Sequence, residues 1–191
     1  MELNTQTAIV PGSLSAIAQQ EHQSLAESFM SADAIILCDT SGSMGDNDSR
    51  GGKTRYEVAL EELAQLQAKM PGKLAILSFS NTVVFCPGGV PQFLMATTDL
   101  AGALRFARVA DVDGMQFIVI SDGEPDDTRA ALAEAAQYRS KISTIFVGPE
   151  DDRTGGRDFL ARLAAKSGGQ AITADRVREL AAKTERLLLG A

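Results

Sequence analysis

From residue 33 onward, short apolar runs alternate along the chain with longer segments in which apolar residues recur every three or four positions. The short runs are rich in branched side chains, which is typical of strands that are buried on both faces. They predict six strands, at residues 34–38, 74–79, 82–86, 116–120, 142–147 and 170–173. The turn at Ser80-Asn81 predicts that the second and third strands form a hairpin.

The amphipathic segments between the strands predict helices. These helices cover residues 54–69, 99–108, 127–141, 157–166 and 177–189. Strands that alternate with helices predict an α/β fold with a doubly wound, mostly parallel six-stranded sheet and helices on both faces. The hairpin adds one antiparallel edge strand to this sheet.

Residues 1–31 lie outside the alternation, so we interpret them as an N-terminal extension of a domain that covers residues 32–191. Residues 1–12 are mostly polar and are expected to be disordered. Residues 13–30 carry apolar side chains at roughly helical spacing, which predicts one amphipathic helix. Two roles stay open for this helix, since it can pack on the domain or dock on a partner protein.

Composition narrows the function classes. The net charge is −7, only 5% of the residues are aromatic and there is no Trp, which argues against binding of nucleic acid. Cys38 and Cys86 lie in apolar runs without metal-ligand spacing, as expected for reduced thiols of a cytosolic protein. No signal sequence opens the chain, and no apolar stretch approaches the ~18 residues of a membrane span. We therefore expect a cytoplasmic protein with no membrane contact.

Oxygen-bearing side chains follow the first predicted strand directly. Asp39, Ser41 and Ser43 lie within one short loop, in the order Asp39-x-Ser41-x-Ser43. In open α/β sheets, ligands bind at the carboxyl ends of the strands, where this loop is expected to lie. Hard oxygen ligands without a neighbouring His or Cys suit Mg²⁺, Mn²⁺ or Ca²⁺ rather than zinc.

Two later segments carry groups that extend this site. Thr97-Thr98-Asp99-Leu100 begins a predicted helix, where a hydroxyl is expected to cap the helix and to point toward the first strand. Asp122 follows the strand at 116–120, and it faces Asp39 if that strand lies next to the first one. Two carboxylates and three hydroxyls can hold a six-coordinate cation together with waters or one foreign ligand.

These three segments together resemble the von Willebrand factor type A (VWA) domain of intracellular bacterial proteins, a Rossmann-like fold. The similarity covers about residues 33–189 and includes an intact metal-ion-dependent adhesion site. It implies that Ser41, Ser43 and Thr98 bind Mg²⁺ directly, and that Asp39 and Asp122 act through water. It also implies that a Glu or Asp of a partner protein completes the coordination. One departure is Ala96-Thr97, where the family often has two glycines.

No nucleophile, general base or cofactor motif accompanies these ligands, so the leading hypothesis is a non-enzymatic, Mg²⁺-dependent adaptor that binds a partner protein. The resemblance suggests an AAA+ ATPase or a stress-response complex as the partner. An alternative is a metal-dependent hydrolase of phosphate esters, because a Mg²⁺ ion with an open position is a Lewis acid. A third hypothesis places the interaction on the N-terminal helix. The Gly51-Gly52-Lys53-Thr54 segment is interpreted as a polar loop, because Asn47 stands where a phosphate-binding loop needs glycine.

Overall fold

The computed structural model describes residues 9–149 and 151–173. Within them, one sheet contains six strands, β1 Ala34–Asp39, β2 Leu74–Phe79, β3 Val83–Phe85, β4 Gln116–Ser121, β5 Ile142–Phe146 and β6 Ala171–Thr173. The order across the sheet is β3-β2-β1-β4-β5-β6. All neighbouring strands are parallel except β2 and β3, which form the antiparallel hairpin. The predicted α/β class and the mostly parallel sheet with one antiparallel strand are confirmed.

The described helices are α1 Leu14–Glu21, α2 Leu25–Met30, α3 Arg55–Lys69, α4 Leu100–Ala107, α5 Thr128–Ala135 and α6 Gly156–Ser167. Thr54 caps α3 in a capping box with Glu57, which fixes where the chain enters this helix. The helix predicted at 177–189 lies outside the described residues. None of the helices described is both long enough and apolar enough to cross a membrane.

Side chains of β1 alternate between two hydrophobic clusters, one on each face of the sheet. Ile35 and Leu37 belong to the cluster that contains the buried residues of α4, α5 and α6. Ile36 and Cys38 belong to the cluster that contains the buried residues of α3. Because every residue of β1 is buried, the strand is a continuous apolar run in the sequence rather than an alternating one. Both cysteines are free thiols.

The prediction of a single helix over residues 13–30 is wrong, because the segment forms two helices. His22 adopts a left-handed conformation with φ of 54° and ends α1. Ser24 then begins α2 in a capping box with Glu27. The first helix packs on the domain, since Leu14 is buried in the core and Ser15 N donates to Pro87 O at 2.9 Å. The division into residues 1–31 and 32–191 stays a prediction.

The helix predicted at 127–141 is also too long, because α5 ends at Ala135. Contacts with other elements hold the chain outside a helix after this point. The hydroxyl of Tyr138 donates to Leu104 O at 2.5 Å. Asp111 accepts hydrogen bonds from the backbone N–H groups of Arg139 and Ser140, at 2.7 and 3.0 Å. These tertiary bonds replace helical ones, which local propensity does not foresee.

An apolar groove of about 570 Å³ lies between α2 and the end of α4. Phe29 of α2 contacts Phe85 of β3 edge to face at its floor, with ring centroids 5.5 Å apart. Met30 and Val109 line the groove and are 85% and 88% exposed. The second helix of the extension therefore presents apolar surface to solvent, while the first is covered.

Candidate metal centre

The loop that follows β1 gathers a carboxylate and two hydroxyls in one place. Asp39 is the last residue of β1, and its Oδ1 accepts a hydrogen bond from Ser41 N at 2.9 Å. This bond turns the chain sharply, and a short 3-10 turn, Gly42–Gly45, follows. The Oγ atoms of Ser41 and Ser43 lie 3.3 Å apart as a result.

The second carboxylate comes from the neighbouring strand. Since β4 pairs directly with β1, its carboxyl end places Ser121 and Asp122 beside Asp39. The hydroxyl of Ser121 donates to Asp39 Oδ2 at 2.6 Å and accepts from Gly123 N at 3.0 Å. Asp39 and Asp122 are both 0% exposed. Ser121 thus orients a candidate ligand, although the sequence analysis gave it no role.

Thr98 belongs to a loop that lies against the loop after β1. Gly42 N donates to Ala96 O at 3.0 Å, which joins the two loops. Asp126 then fixes the backbone of Thr98 from both sides, because its Oδ1 accepts from Thr98 N at 3.1 Å and its N donates to Thr98 O at 3.0 Å. Contrary to prediction, the cap of α4 is not a threonine hydroxyl but the carboxylate of Asp99, which accepts from Gly102 N at 2.8 Å.

Burial makes the negative charge at this site costly. Burial and the nearby charge of Asp122 raise the pKa of Asp39 to about 6, against the opposing effect of hydrogen bonds from Ser121 and Ser41. Two carboxylates removed from water repel each other unless a cation offsets their charge. The site is therefore built around negative charge that favours a cation.

One cation is supplied by the chain itself and was missed by the sequence analysis. The Arg55 guanidinium donates from Nη1 to Asp122 Oδ2 at 2.8 Å, and from Nε and Nη2 to the carboxylate of Asp48 at 2.8 Å each. Its side chain is 6% exposed. The one sequence signal is its position, because Arg55 is the first residue of α3, where the helix dipole favours acidic residues.

The donor set fits a small, hard cation. Within the described part of the chain, no group of three or more His, Cys, Asp or Glu residues is arranged to hold a metal ion. Serine oxygens 3.3 Å apart suit two adjacent corners of an octahedron around Mg²⁺, whose ligand distances of about 2.1 Å place neighbouring oxygens about 3 Å apart. Asp39, Ser41, Ser43, Thr98 and Asp122 would hold such an ion.

Comparison with known proteins identifies the type of fold. No protein-family model matches the sequence, and no curated protein is significantly similar to it. Among solved structures, an aerotolerance-related membrane protein from Bacteroides fragilis with multiple mutations to serines is similar with a TM-score of 0.62. The two share 16% sequence identity, over 83% of this chain and 98% of that one.

Two further structures carry the VWA name. The vWF domain of the type V pili tip protein Mfa5 from Porphyromonas gingivalis has a TM-score of 0.56 and 11% identity, over 81% of this chain and 95% of that one. The von Willebrand factor type A protein from Catenulispora acidiphila has a TM-score of 0.54 and 17% identity. The match covers 78% of this chain and 42% of the Catenulispora chain. The fold is therefore of the VWA type.

Proposed function

We propose that this chain is a non-enzymatic protein-binding module in which a Mg²⁺ ion captures an acidic side chain of a partner protein. The observation that carries this proposal is the pair of fully buried carboxylates, Asp39 and Asp122, beside two serine hydroxyls at the carboxyl end of adjacent parallel strands. The ligands of the ion are Asp39, Ser41, Ser43, Thr98 and Asp122.

The chemistry of the ligands favours an acidic partner. Hydroxyl oxygens are neutral, so a Mg²⁺ ion held directly by Ser41, Ser43 and Thr98 keeps most of its positive charge. Mg²⁺ also keeps several waters in protein sites, and one of them can be replaced by a carboxylate from outside. A Glu or Asp of the partner is thus the ligand with the best complementary charge. Mn²⁺ or Ca²⁺ can substitute in the same oxygen site.

The wider assignment extends the resemblance to intracellular VWA domains. We place the ion at the switch point of a doubly wound, six-stranded Rossmann-like VWA domain in a cytoplasmic protein, with an AAA+ ATPase or a stress-response complex as the partner. The similarity in fold to the aerotolerance-related protein of Bacteroides fragilis supports a role in a stress response. The sequence has no nucleophile, general base or cofactor motif beside these ligands, and this supports a binding rather than a catalytic role.

Isothermal titration of the full chain with MgCl₂, followed by pull-down from the native host's lysate with Mg²⁺ and with EDTA, tests the proposal. We expect one Mg²⁺ site and partner proteins that are captured only with Mg²⁺. Asp39→Ala should abolish both without unfolding the domain. Asp113→Ala is the matched control, because Asp113 is exposed and precedes the other end of β4.

Two results would contradict the proposal. Capture that is unchanged by EDTA and by Asp39→Ala would move the interaction away from the metal centre, to the N-terminal helices. The second result is hydrolysis of a generic phosphate ester. If this activity requires Mg²⁺ and is lost in Ser41→Ala, the protein is a metal-dependent hydrolase rather than an adaptor.

A further inference from the structure

Arg55 joins the candidate metal centre to the loop that precedes α3. Two parallel hydrogen bonds, from Nε and Nη2, hold its guanidinium against the carboxylate of Asp48. Bidentate pairs of this kind fix the plane of the guanidinium as well as its position. The third donor, Nη1, then lies 2.8 Å from Asp122 Oδ2. Asp48 is 42% exposed, so the pair has a solvent-facing anchor and a buried end.

The buried end of this pair restrains Asp122. Its Oδ2 accepts from Arg55, and its Oδ1 accepts from Glu124 N at 3.3 Å. Both oxygens are therefore engaged within the chain before any metal arrives. A carboxylate held in this way is suited to contact a cation through a bridging water, because direct coordination requires it to give up a short, charge-assisted hydrogen bond.

Arg55 also changes the charge that a metal ion meets. Asp39 and Asp122 together contribute two negative charges, which would cancel the charge of a Mg²⁺ ion. The guanidinium lies 2.8 Å from Asp122, whose carboxylate is shielded from water, so charge is weakly screened at this end. Arg55 also pairs with Asp48 and lies 3.6 Å from Asp46 and Glu124, so it offsets part of the charge of Asp122 and leaves the ion more positive than it would be without Arg55.

We infer that Arg55 is a positioning residue of the metal centre, which holds Asp122 out of direct coordination and leaves the ion electron-poor for an acidic ligand from outside. This inference rests on the proposed Mg²⁺-dependent function and adds the device that tunes it. It implies that Arg55 weakens metal binding and strengthens the attraction of the bound ion for the partner carboxylate.

The metal-binding part is tested with Mn²⁺ as a probe on the full chain. Electron paramagnetic resonance measures the Mn²⁺ dissociation constant, and water-proton relaxation counts the waters on the bound ion. In Arg55→Gln, Asp122 is freed to bind the ion directly. We expect the dissociation constant to fall about tenfold, which corresponds to one full charge near the ion in a partly screened site, and the ion to lose one bound water.

Three further variants separate this role from a structural one. Arg55→Lys keeps the charge but cannot bind Asp48 with two parallel hydrogen bonds and reach Asp122 as well, so its dissociation constant should lie between those of the wild type and Arg55→Gln. Asp48→Asn leaves the guanidinium less neutralised, so it should weaken Mn²⁺ binding about twofold to threefold, the opposite direction to Arg55→Gln. Arg105→Gln, which breaks an ion pair with Glu134 on α4 and α5, is the matched control and should leave the constant unchanged.

The outcomes distinguish this inference from the proposed function. If Arg55→Gln folds by circular dichroism but binds Mn²⁺ as weakly as the wild type or more weakly, Arg55 does not restrain Asp122. If Arg55→Gln does not fold, the Mn²⁺ dissociation constant of Asp48→Asn provides the test. A lower dissociation constant than that of the wild type then overturns the inference. If the wild-type chain itself binds no Mn²⁺, the proposed function fails and this inference fails with it.

Discussion

The hydroxyl of Ser121 offers a quantitative test of how the centre is held together. Ser121 is 1% exposed, and it donates a 2.6 Å hydrogen bond to the buried carboxylate of Asp39. A hydrogen bond to a charged group contributes about 1.5–3 kcal/mol, roughly twice the contribution of a neutral pair. The same hydroxyl accepts from Gly123 N at 3.0 Å, so Ser121→Ala also leaves a buried N–H without a partner.

We expect Ser121→Ala to lower the free energy of unfolding by about 3 kcal/mol. For a chain of this size, that change lowers the melting temperature by about 6–12 °C. The assay is urea unfolding at pH 7.5 with EDTA, because metal is then removed and Asp39, with a pKa of about 6, is charged. An unchanged dependence on urea concentration shows that the variant unfolds as the wild type does.

Ser140→Ala is the matched control for this experiment. Its hydroxyl makes a single exposed hydrogen bond, to Val112 O at 3.4 Å, so the change should cost less than about 0.5 kcal/mol. If Ser121→Ala and Ser140→Ala lose the same small amount, the bond from Ser121 to Asp39 does not stabilise the fold, and the reasoning about buried charge at this centre is refuted.

Three other predictions concern the scaffold around the centre. Leu63→Ala removes a buried side chain of α3 and should cost about 2–5 kcal/mol in urea unfolding. Gly156→Ala places a methyl group 2.0 Å from Asp122 O, so it should lower stability by about 1–3 kcal/mol and weaken Mn²⁺ binding, both measurable on one sample. Burial raises the pKa of Asp111, but hydrogen bonds from residues 139–140 outweigh it and hold the pKa below its usual value. The stabilisation by the charged carboxylate is complete above about pH 4 and is lost as the pH falls further. Asp111→Asn should therefore reduce the loss of unfolding free energy at acid pH. An unchanged dependence of this free energy on pH would contradict the prediction.

The strands were predictable to within one or two residues, because an apolar run that is buried on both faces leaves a continuous signal in the sequence. The predicted helix bounds are wrong where contacts between segments that are distant in the sequence determine where a helix ends. The turn after α5 follows from Asp111, which binds Arg139 and Ser140 across about 28 residues of chain. The break in the helix at His22 was predictable from the sequence, because Ser24-x-x-Glu27 has the pattern of a capping box, which begins a new helix.

Asp39 and Asp122 could be identified as candidate ligands because each lies at or directly after the end of a strand, and the topology of the sheet alone brings these two strand ends together. Arg55 and Ser121 were missed for a different reason. Their roles depend on which side chain they meet, at 67 and 82 residues' distance, and neither partner can be read from local pattern. Contacts between side chains so far apart in the sequence are recognised only in the three-dimensional structure.

The central position of β1 in the sheet has a consequence for folding during synthesis on the ribosome. Of the described strands, β1 is synthesised first, yet it lies between β2 and β4. About 80 residues must be added after Asp39 before β4 is complete. At about 5–20 residues per second, one edge of this buried strand stays unpaired for several seconds until its neighbour is synthesised. During that time the nascent chain presents an unpaired strand edge, the kind of surface that chaperones cover.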